Sequence, residues 1–167
     1  MAEQIIVMMG IWDDETQKVL SGWYDELSKA GFKGKQTPDL LYHISLSTYT
    51  TDKEEEASGL IRSVAGSFAP VQVCISHIGM FAGGQILFAA PDINPGLKEL
   101  HDACDLGVAQ EFEWTPHTTL MIDDPGVIQS ALPMVINSFR PLTGTIKSLQ
   151  LCAFWPTRKI AHLDLNE

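Results

Sequence analysis

Tyr42-His43-Ile44-Ser45-Leu46 is echoed 74 residues later by Pro116-His117-Thr118-Thr119-Leu120: a histidine, a hydroxyl residue two positions on, then a leucine. On an extended strand, side chains two apart point to the same face, so each segment aims an imidazole and a hydroxyl into one space. The same shift, with no gap, lays Val71–Pro91 on Thr145–Leu165. It matches Val73-Cys74-Ile75 with Lys147-Ser148-Leu149, Phe81 with Trp155, and Ile86 with Ile160. Identity is low, but element order and type repeat, which is the signature of an internal duplication.

Outward from the two motifs, the pattern alternates strands and helices. Ile5–Met9 is a continuous apolar run suited to a central strand. Val19, Leu20, Trp23, Tyr24 and Leu27 recur at helical spacing from Asp14 to Ala30, and Gly31 is placed to end that helix in the left-handed conformation. Residues 32–40, rich in Lys, Gly and Pro, read as a loop leading into a strand over 41–48. Thr51-x-x-Glu54 reads as a capping box for a second helix with Ala57, Leu60, Ile61 and Val64 inward and Gly66 at its end. Strands are predicted over 71–78 and 85–90 with a turn at Gly83-Gly84, and a third helix begins at Asn94-Pro95. A second histidine strand over 115–122 leads to a fourth helix capped at Asp124-Pro125, in which Pro133 is an awkward interior residue placed to kink or shorten it. Two last strands span 145–154 and 159–165.

With 167 residues, 45% of them apolar and 19% charged, the chain fits one soluble domain or two intimately packed lobes. No apolar run approaches the ~20 residues needed to span a bilayer. The run from Gln4 to Trp12 is too short and lacks the basic flank of a signal peptide, so a cytoplasmic location is expected. Cys74, Cys104 and Cys152 lack the spacing of a disulfide framework or a zinc ribbon. A net charge of −10 argues against tracking a long duplex, yet it is compatible with a small nucleotide gripped in a cleft.

Two imidazoles facing one cleft can serve as general base and general acid, because an unperturbed histidine titrates near pH ~6.5. A phosphodiester suits this layout: one histidine takes a proton from water, the other gives one to the leaving alkoxide, and Ser45 and Thr119 hold the non-bridging oxygens. That scheme needs no metal and no cofactor, and neither motif carries a carboxylate or cysteine at ligand spacing.

The two motifs resemble the tandem His-x-[Ser/Thr]-hydrophobic signature of the two-histidine (2H) phosphoesterase superfamily, which includes LigT-like 2′-5′ RNA ligases and 2′,3′-cyclic phosphodiesterases. The resemblance implies an α+β fold over residues 1–167: one bilobal, duplicated unit with two antiparallel-type sheets, outer helices and pseudo-twofold symmetry around a central cleft. It implies His43 and His117 as the catalytic pair, Ser45 and Thr119 as phosphate ligands, and a metal-independent phosphodiesterase. The expected partner is a small nucleotide or short RNA, above all a 2′,3′-cyclic phosphate, with no membrane and no long duplex. Hydrolysis of cyclic di- or oligonucleotides and a non-catalytic nucleotide-binding module are the alternatives. Trp155 and Phe81 are candidates to stack on a base, Arg158 and Lys159 to neutralise a second phosphate, and Tyr49 to line the cleft. His77, His101 and His162 are read as structural.

Overall fold

A computed structural model describes residues 4–167. Strand β1 (Ile5–Trp12) is buried at every position after Ile5. It is apolar on both faces because both are covered. Ile6, Met8 and Trp12 join the main core, whereas Val7, Met9 and Ile11 form a second cluster with Cys152 and Phe154. Helix α1 (Asp14–Lys29) starts where the Asp13 carboxylate accepts from the Thr16 N–H at 2.9 Å. It stops just before Gly31, whose φ of +97° only a residue without Cβ adopts at no steric cost.

The chain continues through β2 (His43–Thr50), α2 (Glu54–Ser67), β3 (Val71–Met80), β4 (Ile86–Pro91), α3 (Pro95–Ala103), β5 (Thr118–Ile122), α4 (Pro125–Ser138), β6 (Leu142–Phe154) and β7 (Arg158–Asp164). Every strand pairing is antiparallel, so the fold is α+β. The two expected sheets are joined into one seven-stranded sheet of order β2-β1-β6-β3-β4-β5, with β7 also on β6. The joint is β6, long enough to serve both lobes: Leu142–Ile146 pairs with β3, and Ile146–Phe154 pairs with β1.

This topology interlocks the two halves. The early strands β2 and β1 are completed by β6 from the end of the chain, and the later strands β5 and β4 are completed by the early β3. The two histidine strands therefore lie at opposite ends of the strand order. Sheet twist and curl bring them back together: the Thr118 hydroxyl on β5 donates to the His43 carbonyl on β2 at 3.0 Å.

Four local expectations change. Thr51–Lys53 forms a separate 3-10 turn with no side-chain cap, and the Glu54 carboxylate turns away to Arg158, so the capping box does not form. Gly66 lies inside the last turn of α2, which runs on to Ser67. Pro133 neither shortens nor ends α4; it sits on the exposed side, where water can satisfy the carbonyl it leaves unpaired. His117 immediately precedes β5, with Thr118 the first residue of the ladder.

Candidate active site

His43 and Ser45 sit at the start of β2 opposite Ile11 and Met9 of β1. Thr119 of β5 sits opposite Phe88 of β4. In both places the register slips by one residue immediately after the hydroxyl side chain. Met9 pairs with Ser45 but Met8 with Ser47, and Phe88 pairs with Thr119 but Leu87 with Met121. The extra residues are Leu46 and Leu120, the leucines of the two motifs, both buried in the core. The motif thus encodes a β-bulge: the leucine is the inserted residue, anchored by burial. Bulges bend a strand and re-aim its side chains, and they recur beside active sites.

The two imidazoles are held alike. His43 Nδ1 lies 2.7 Å from the Leu41 carbonyl, and His117 Nδ1 lies 2.8 Å from the Thr115 carbonyl, each bond reaching back two residues. A carbonyl only accepts, so Nδ1 carries the proton in both rings, and Nε2 of the neutral imidazole is left as the free base. Burial pushes both histidines below their ordinary value, partly offset by these carbonyls; for His43 the neighbouring His117 pushes the same way as burial.

Residues between the motif positions fix the two strands to each other. Ile44 and Thr118, which follow the two histidines, are buried on the opposite face. Trp12 Nε1 donates to the Thr118 hydroxyl at 2.8 Å, and that hydroxyl donates onward to the His43 carbonyl. Gly144 makes room for this indole, since a Cβ there would lie 2.9 Å from a Trp12 ring carbon. Gln17 clamps the residue before His43, accepting from the Tyr42 N–H at 3.0 Å and donating to its carbonyl at 2.7 Å. Sequence reasoning missed Trp12, Thr118 and Gln17, because partners 25 and 106 residues apart leave no local signal.

Two chambers open on this pair. One, of about 590 Å³, is lined by His43, Ser45, Thr119, Trp155, the β1 residues Val7 and Met9, and the 33–41 loop. That loop is pinned to the end of β5 by the Lys35 N–H to the Ile122 carbonyl at 2.6 Å, and by Lys35 Nζ between Asp123 and Asp124. The other, of about 690 Å³, is lined by His117, Phe81, His101, Phe112 and Trp114. Ser45 borders both.

The remaining sequence candidates divide. Trp155 is 63% exposed on the wall of the first chamber. Phe81 lines the second, but its ring packs edge-on against His117 at 4.7 Å and against Phe88 at 4.7 Å, so it supports the histidine. Arg158 is held by Glu54 in a two-pronged ion pair at 2.9 and 2.7 Å and lines neither chamber, nor does Lys159. Tyr49 is buried, donating to the Cys104 carbonyl, so it belongs to the core and not to the cleft. His101 makes structural contacts: its ring stacks on Trp114 at 3.8 Å, and its Nδ1 lies 2.6 Å from the Leu46 carbonyl at the bulge. Among the described residues no three His, Cys, Asp or Glu side chains gather as a metal-binding set, and no helix is long and apolar enough to cross a membrane.

Residues 17–154 match the family model of the 2'-5' RNA ligase superfamily. A search of curated protein sequences finds no match. Among solved structures, LigT of E. coli in complex with 3'-AMP superposes with a TM-score of 0.66 at 13% identity, covering 99% of both chains. The same protein has been solved with NADP+, matching at 15% identity with a TM-score of 0.65 over 99% of both chains. TT0787 of Thermus thermophilus superposes with a TM-score of 0.68 at 15% identity, covering 96% of this chain and 97% of its own. At such identities these likenesses show a shared fold.

Proposed function

Because the chain belongs to the 2'-5' RNA ligase superfamily, we propose that it is a metal-independent phosphodiesterase that opens a small nucleotide phosphodiester, above all a 2′,3′-cyclic phosphate. The observation that supports this reading is the pair of matched bulges, each presenting a tautomer-fixed imidazole and a hydroxyl, with His43, Ser45 and Thr119 lining one chamber and His117 the chamber that shares Ser45 with it. The nucleotide complexes of LigT, of similar fold, support a nucleotide-sized ligand.

In the reaction, a water oxygen attacks phosphorus as its proton passes to Nε2 of one histidine. Nε2 of the other, protonated at the outset, gives its proton to the leaving alkoxide, and the product is a monoester. The two histidines exchange roles when the direction reverses. Ser45 and Thr119 donate to the non-bridging oxygens, where negative charge gathers in the transition state. Burial keeps one imidazole neutral and ready as base. The anionic substrate favours the protonated form of its partner, opposing the effect of burial.

The test is incubation of the purified protein, under chelation, with 2′,3′-cyclic mononucleotides and with 2′-5′- and 3′-5′-linked dinucleotides, followed by product identification. Release of a monoester that persists in chelator is expected. Activity abolished by chelation and restored by one divalent metal would move the chain to the metal-dependent phosphoesterases.

A further inference from the structure

Strand β2 ends the strand order, so it pairs only with β1 and turns a free edge outward. Successive carbonyls of a strand point to opposite edges, and a free edge leaves every second one without a ladder partner. From His43 to Thr48 those carbonyls are met by side chains instead. The Thr118 hydroxyl donates to the His43 carbonyl at 3.0 Å, and Trp114 Nε1 to the Ser45 carbonyl at 2.9 Å. His101 Nδ1 lies 2.6 Å from the Leu46 carbonyl, and Gln110 Nε2 donates to the Thr48 carbonyl at 3.0 Å. The bonded positions change parity at the bulge, from 43 and 45 to 46 and 48, as one inserted residue requires. Two consecutive carbonyls, those of Ser45 and Leu46, therefore face the same edge.

The two rings that take them are stacked on each other, Trp114 and His101, with centroids 3.8 Å and planes 1° apart. A carbonyl only accepts, so His101 Nδ1 carries a proton and donates. A regular strand would offer this rigid pair one carbonyl and leave the other donor without its bond, so the pair favours the bulged register. Both rings belong to the second half of the chain: α3 carries His101, and the segment leading to His117 carries Trp114.

We propose that His101 and Trp114 form a clamp that selects and holds the first bulge, two positioning residues that set Ser45, and with it His43, against the second motif. The inference rests on the phosphodiesterase reading for its effect on turnover, but not for the clamp itself. Each ring acts through a backbone carbonyl and not on the reacting atoms. A misplacement of about 1 Å can lower a rate by about 10²-fold. Ser45 bonds charge that gathers in the transition state, so the loss falls on kcat more than on KM.

Trp114→Phe and His101→Phe each keep a ring for the stack and remove its donor. His101→Asn restores a donor, since the Asn side-chain nitrogen branches from Cγ as Nδ1 does. For each variant, kcat and KM are measured with the best 2′,3′-cyclic mononucleotide, amide hydrogen exchange is followed over 43–48, and circular dichroism checks the fold. Both Phe variants are expected to lose at least about tenfold in kcat with KM little changed, and to exchange faster over 43–48 while β4 is unaffected. His101→Asn recovers both properties. A near-normal kcat in a folded Phe variant, or a loss at His101 that Asn does not recover, overturns the positioning role. If the wild-type protein hydrolyses no phosphodiester, the phosphodiesterase reading falls and exchange alone decides the clamp: protection over 43–48 unchanged in both Phe variants overturns it, and faster exchange reversed by Asn sustains it.

Discussion

His43 borders a chamber floored by β1 and walled by the 33–41 loop, whereas His117 packs against the rings of Phe81 and Phe88, at 4.7 and 5.3 Å. What the halves share is the part close to the proposed chemistry: the bulged leucine, the Nδ1 bond to a carbonyl two residues back, and the hydroxyl beside it. What they do not share lies one layer out. Phe81 and Trp155 match in the 74-residue shift, yet one buttresses a histidine and the other stands exposed on a wall. The two halves have kept the local geometry of the motifs and let the surroundings diverge, as expected if the shared layer handles the phosphorus of the proposed phosphodiester and the outer layer its surroundings.

The comparison breaks most sharply at the histidines. His43→Ala and His117→Ala should each lower turnover by roughly 10²–10⁴-fold with the fold retained, the range for one general acid or base; steady-state rates with circular dichroism check this. If one variant keeps near-normal turnover, the two halves are not functional equivalents.

Thr119→Val keeps shape and removes a donor, and should cost about 2.7–4 kcal/mol in the transition state if it acts like an oxyanion-hole contact. Ser45→Ala should act in the same direction, and comparison of the two kcat/KM values shows whether the hydroxyls share the phosphate evenly.

Gly79→Ala tests the support of His117 alone. A Cβ at Gly79 would lie 2.8 Å from the Phe88 ring, its cross-strand partner, so the ring must move from the histidine it packs on. Overpacking of this kind typically costs ~1–3 kcal/mol, read as a lower urea midpoint, with a fall in kcat as His117 shifts. Gly10→Ala meets Ile146 at 3.1 Å and Leu46 at 3.5 Å, a looser fit than at Gly79, and should cost less.

Both histidines are pushed below the ordinary imidazole value when folded. On acidification through ~6.5 the unfolded chain therefore takes up protons first, and the stability these groups hold above that pH is lost as pH falls toward their folded values. Urea unfolding on either side of ~6.5 should show a loss on the acid side that is smaller in a His43→Asn, His117→Asn double variant. The smallest effect expected is from Arg158→Ala, which breaks an exposed ion pair to Glu54 outside both chambers and should leave turnover unchanged.

Much of this was legible in the sequence because period and punctuation are local. The alternation at His43–Ser45, the Asn94-Pro95 helix start and the glycines at 31, 83 and 84 each declare themselves within a few residues. The misjudged features depend on distant partners. Glu54 abandons its cap for Arg158 across 104 residues, and Tyr49 donates to Cys104 across 55. That β6 would serve both lobes follows from its 13-residue length, three residues beyond the strand the apolar pattern marks. The role of the motif leucine was invisible for a different reason: a bulge is a property of two strands in register, and neither strand's sequence alone records the slip.

The most direct test of the account is a crystal structure of the protein with orthovanadate, which mimics the five-coordinate phosphorus of the transition state. The account predicts one vanadate between the two halves, with Nε2 of His43 and Nε2 of His117 at its opposite apical oxygens and the Ser45 and Thr119 hydroxyls on equatorial ones. A vanadate touching a single histidine, or seated away from both hydroxyls, would contradict it.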